Sequence, residues 1–77
     1  MWLDGRLVDP ADATVSVFDR GLTVGDGVFE TLKVVRGRPF AVRRHLARLH
    51  RSTRGLGLDV PVGDATLRAA VDEVAAA

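Results

Sequence analysis

Seven arginines and no acid fall between residues 36 and 58, and five of the seven (Arg43, Arg44, Arg48, Arg51 and Arg54) sit close together. A guanidinium fork takes phosphate oxygens in pairs and keeps its charge near neutral pH, so anion binding is the first chemistry this block offers. The flanks have the opposite sign. Residues 1–35 carry a net −3, residues 59–77 a net −3, and the whole chain of 77 residues is +1. Lys33 is the only lysine and therefore the only side-chain amine for covalent catalysis. His45 and His50 are five apart and lie on different faces of a helix, which is not the three- or four-residue spacing of a helical metal pair. With no cysteine in the chain, thiolate catalysis, disulfides and Cys-based metal sites are excluded. Asp19 and Asp26 flank a glycine-rich segment, where aspartates commonly close turns through backbone bonds, and no catalysis is assigned to them. Gly25-Asp26-Gly27 opens a strand rather than a helix, so it fails as a dinucleotide fingerprint and reads as a tight turn.

These side chains need a frame. Asp4-Gly5 between the apolar pairs Trp2-Leu3 and Leu7-Val8 predicts a hairpin. Asp9-Pro10-Ala11-Asp12 is a turn or a short helical start, and Val15-Ser16-Val17 alternates as a short strand would. Val28 to Val35 is the strongest strand pattern, with Val28, Glu30, Leu32 and Val34 on one face and Phe29, Thr31, Lys33 and Val35 on the other. Arg36-Gly37-Arg38-Pro39 is its turn and Phe40-Ala41-Val42 the expected return strand. A helix follows near 43–55, its apolar stripe formed by Val42, Leu46, Leu49 and Leu56 with Thr53 filling the gap. Gly55 and Gly57 end it. Asp64 is the expected cap of a second helix near 64–77, with Leu67, Ala70, Val71 and Val74 as its stripe. The fold class is therefore α+β: a mostly antiparallel small sheet (the N-terminal hairpin plus a long strand near 27–36) with two helices on one face. A core of this size supplies roughly 3–5 kcal/mol on its own.

The run Phe18-Asp19-Arg20-Gly21-Leu22-Thr23-Val24-Gly25-Asp26-Gly27-Val28-Phe29-Glu30-Thr31-Leu32 resembles the small domain of the class IV (fold type IV) aminotransferases. That family includes branched-chain aminotransferases, D-amino-acid aminotransferases and aminodeoxychorismate lyase. Trp2-Leu3-Asp4-Gly5, Gly37-Arg38-Pro39-Phe40 and His45-Leu46-Ala47-Arg48-Leu49-His50-Arg51-Ser52 agree in order and spacing, so the resemblance covers nearly the whole chain. It implies pyridoxal phosphate as cofactor, transfer of an amino group between an amino acid and a 2-oxo acid or the related aminodeoxychorismate lyase reaction, a homodimer, and Arg48 as the ligand of the cofactor phosphate. It places Phe29, Thr31 and Lys33 on the substrate side, the same three that alternation puts on one face, with Val24 nearby. Several family members have an aromatic where this chain has Val24, which leaves the substrate open. The family's Schiff-base lysine belongs to a second, large domain. The resemblance thus makes residues 1–77 a small domain cut before the large one, with no catalytic residue of its own and inactive alone.

Two other readings follow from the residues themselves. The arginine block, with His45 and His50 beside it, could track the phosphates of a nucleic acid, although the arginines are spread round the helix and no aromatic platform is interleaved with them. A stand-alone interaction domain could pair its acidic flanks with the basic centre of a second copy. No stretch approaches the ~20 apolar residues of a membrane helix, and Met1-Trp2-Leu3-Asp4-Gly5 has no apolar signal core. The expectation is a cytoplasmic protein without metal, membrane or nucleic-acid partner.

Overall fold

A computed structural model describes all 77 residues. Strands β1 (Trp2–Leu3) and β2 (Arg6–Leu7) form an antiparallel hairpin in the register Trp2 to Leu7 and Leu3 to Arg6. Asp4 (φ 51°) and Gly5 (φ 95°) turn it. Positive φ at both central residues is the type I′ turn, whose twist matches that of the strands. The same device recurs between β3 (Val34–Val35) and β4 (Arg38–Pro39), with Arg36 at φ 52° and Gly37 at φ 76°. The two hairpins are separate two-stranded sheets. A 3-10 turn at Pro10–Asp12 and the four-residue helix α1 (Arg20–Thr23) lie between them.

The α+β class stands, but the strands are shorter than alternation suggests. The stretch expected near 27–36 is laddered only at Val34–Val35. Residues 28–32 make no backbone–backbone hydrogen bond, since no strand lies beside them. They keep the alternation all the same: Val28, Glu30 and Leu32 are half-buried, and Phe29, Thr31 and Lys33 are exposed. The return strand is Arg38–Pro39 rather than Phe40–Val42, because the two-residue turn starts it earlier and Ala41 at φ 58° breaks it. Phe40 still adds one rung, its amide donating to the Lys33 carbonyl at 2.8 Å. Val15–Val17 is not a strand. Ser16 closes a turn instead, its hydroxyl accepting from the Phe18 amide at 3.1 Å and its carbonyl from the Asp19 amide at 3.1 Å. Serine offers the backbone this local alternative to a ladder.

Helix α2 runs Val42–Leu56 and α3 runs Asp64–Ala76. The α2 stripe is as expected at its centre: Leu46 and Thr53 are buried, Val42 and Leu49 half-buried, Leu56 exposed. The Thr53 hydroxyl is satisfied by the His50 carbonyl at 3.0 Å, which makes its burial tolerable. Gly57 at φ 69° ends the helix, with the Leu58 amide returning to the Thr53 carbonyl at 2.9 Å. That bond and the left-handed glycine make a Schellman closure. Asp64 is the first residue of α3 and not its cap. The cap position is Gly63, without a side-chain bond, and Asp64 instead accepts from His50 Nε2 at 2.5 Å. The two helices are tied together at that point. Helix α3 packs on β2 and β4. Its face, with Trp2, Leu32 and Val34, borders an entirely apolar groove of about 560 Å³. No helix is long and apolar enough to cross a membrane.

Candidate functional site

Helix α2 positions the basic side chains. Arg44, Arg48 and Arg51 fall at i, i+4 and i+7, which is one helical face. With Phe40, Ala41, His45 and Ala47 they line a recess of about 400 Å³. The spread of arginines round the helix is thus only partial: three of the five share one concavity.

One carboxylate organises it. Glu30 reaches α2 from the unladdered segment. Arg48 donates to it twice, Nε to Oε1 at 2.7 Å and Nη2 to Oε2 at 3.0 Å. His45 Nδ1 lies 2.9 Å from Oε2. A carboxylate can only accept, so Nδ1 is the donor there. The Glu30 and His45 side chains are 13% and 15% exposed, whereas Arg48 is 57% exposed. The acid and the imidazole are the enclosed end of the cluster and the guanidinium is the end that reaches out. The Arg48 fork, followed by His45, holds the Glu30 carboxyl at about 2, well below the usual carboxylate range, against a smaller desolvation effect in the other direction. The same contact raises the Arg48 pKa. Arg44 and Arg51 make no ion pair, so three guanidinium groups face one carboxylate and the recess stays positive.

The structure puts Phe29, Thr31 and Lys33 together on the exposed face of the 28–33 segment, opposite Glu30. Phe29 is 87% exposed. It is not packed in a core. Val24 is also exposed and follows α1. Asp19 caps α1, accepting from the Gly21 amide at 2.8 Å. Asp26 pairs with Arg20 Nε at 2.7 Å rather than with its own backbone. Gly25 has φ 73° and turns the chain as expected, while Gly27 does not need a glycine conformation. The two histidines serve different acids, His45 with Glu30 and His50 with Asp64. Sequence reasoning missed Glu30. A lone acid in the otherwise apolar row Val28, Glu30, Leu32 and Val34 was the available signal.

The residues present suit a phosphate ester. Two donors on Arg48 Nη1 remain unused by Glu30, beside two unpaired arginines, and together they match a dianion in charge.

Comparison with known proteins points to one family. The family model described as amino-transferase class IV matches residues 27–77. A Methanocaldococcus jannaschii protein named as a branched-chain-amino-acid aminotransferase is 45% identical over 62 residues, covering 80% of this chain and 22% of its own. The D-alanine aminotransferase of Listeria innocua is 40% identical over 74 residues, covering 96% of this chain and 26% of its own. That of Bacillus licheniformis is 34% identical over 71 residues, or 92% and 25%. The chain therefore spans about a quarter of the length of these relatives. No solved structure matches it.

Proposed function

The chain belongs to the class IV aminotransferase family, and from that premise we propose that it is the small-domain part of a pyridoxal-phosphate enzyme. The complete enzyme moves an amino group between an amino acid and a 2-oxo acid. The observation that carries this reading is the Arg48 guanidinium, fixed by Glu30 at the edge of a recess it shares with Arg44 and Arg51. When bound, pyridoxal phosphate supplies an electron sink for the carbanion left as the α-proton departs. This chain's share is binding and orientation. Arg48 holds the phosphate, and Phe29, Thr31, Lys33 and Val24 border the substrate. Lys33 meets a substrate carboxylate; the covalent lysine belongs to the remaining length that the relatives possess. The exposed apolar side chains Phe18, Leu22 and Phe29 support a homodimer with a large domain in place.

Arg48→Ala in the complete protein is expected to weaken pyridoxal-phosphate affinity by about 10- to 100-fold, the equivalent of a charge-assisted bond of ~1.5–3 kcal/mol. Unchanged cofactor retention would overturn the phosphate assignment. The 77-residue chain alone is expected to show no turnover, and measurable transamination by the pure chain would contradict the small-domain reading.

A further inference from the structure

We infer that Glu30 is a positioning residue for the phosphate site: braced by His45, its carboxylate fixes the Arg48 guanidinium so that the Nη1 edge is left free to meet a phosphate monoester. The inference rests on the reading of Arg48 as phosphate anchor and goes one residue deeper. An unrestrained arginine side chain loses much rotamer freedom when it binds. Two parallel bonds at 2.7 and 3.0 Å remove that freedom in advance. Preorganisation of this kind raises affinity by cutting the entropy lost on binding.

The geometry distinguishes this from simple neutralisation. Glu30 takes the Nε–H and one Nη2–H, and no protein group bonds Nη1. The 3.3 Å approach of Arg48 Nη2 to His45 Nδ1 is a contact and not a bond, since the Nδ1 proton is directed at Glu30. The enclosed partners are the acid and the imidazole, held by two different parts of the chain, α2 and the 28–33 segment. An acid that only cancelled charge would not need this brace. Because Arg44 and Arg51 remain unpaired, one carboxylate does not abolish the attraction for an anion.

The test compares binding of pyridoxal phosphate with binding of pyridoxal, which lacks the phosphate, in the complete protein. The ratio of the two affinities isolates the phosphate contact, and unchanged pyridoxal binding shows that the pocket is intact. With Glu30→Gln the ratio is expected to fall by about tenfold, roughly one charge-assisted bond's share of preorganised affinity. His45→Ala is expected to move it the same way by less, and this variant carries the test if Glu30→Gln does not fold. Glu30→Gln combined with Arg48→Ala is expected to be no worse than Arg48→Ala alone, as for groups acting through one another. If Arg48→Ala collapses the ratio and neither Glu30→Gln nor His45→Ala lowers it, Glu30 is a neutralising partner and the inference fails while the anchor stands. If Arg48→Ala leaves the ratio unchanged, the anchor reading itself fails and takes the inference with it.

Discussion

Glu30 has consequences for stability that are separate from any ligand. Its carboxyl titrates near 2 in the folded chain against an ordinary value of 4.5, chiefly because Arg48 bonds the ionised form. A depressed folded pKa means that the unfolded chain takes up the proton first as the medium is acidified. The stabilisation is therefore complete above about 4.5 and is lost as pH falls from there toward about 2. Thermal unfolding followed across that window should show a loss in the native protein that Glu30→Gln lacks; parallel curves for the two would mean that the ion pair adds nothing to stability. Arg48 was legible only through the helix motif that the chain shares with a family, whereas the Phe29–Thr31–Lys33 face follows from strand alternation. The bond between Glu30 and Arg48 was not, because it joins residues eighteen apart on different elements. Periodicity places a side chain on a face and does not say what meets that face.

At the scale of elements, both hairpins could be read from their turn residues, since Asp4-Gly5 and Arg36-Gly37 adopt the paired positive φ that such turns demand. The misreadings came where a local bond competed with a ladder. Ser16 turned Val15–Val17, and no neighbour existed to pair residues 28–32. Both helices were legible, α2 from its stripe and α3 from Asp64 onward, although Asp64 serves His50 rather than its own helix. The stop of α2 depends on one residue. Gly57 lies at φ 69° with open space around its missing Cβ, so a methyl group there clashes with nothing but carries left-handed strain. Gly57→Ala should cost about 1 kcal/mol and lower the thermal midpoint by roughly 5 °C. An unchanged midpoint would show that the chain leaves α2 by another route.

The whole molecule is loosely closed. Leu46, Thr53 and Ala70 are the only buried residues, and Phe18 and Phe29 are each 87% exposed. The radius of gyration, 13.3 Å, exceeds the roughly 11.5 Å expected of a compact domain of this length. The shape is a slab 19 Å thick with apolar side chains on its outside. Such a chain is expected to bind a hydrophobic dye such as anilinonaphthalene sulfonate and to sediment faster as its concentration rises. Dye-free, concentration-independent monomers would mean that these side chains are covered in solution. Leu46→Ala should remove about 2–3 kcal/mol, most of what a core this small supplies, and leave a largely unfolded chain by circular dichroism.

The bare backbone of residues 28–32 adds a hazard of a different kind. Extended, alternating and rich in β-forming residues, Val28-Phe29-Glu30-Thr31-Leu32 is a template on which identical chains can stack. Glu30 is the one charge within it, with Lys33 just beyond, and like charges repeated every ~4.8 Å along a fibril repel. In the folded chain Arg48 and His45 hold that carboxyl ionised well below the usual carboxylate range. The acid that sets the guanidinium thus doubles as a gatekeeper against amyloid, and Glu30→Gln should shorten the lag before thioflavin T fluorescence rises in the isolated chain.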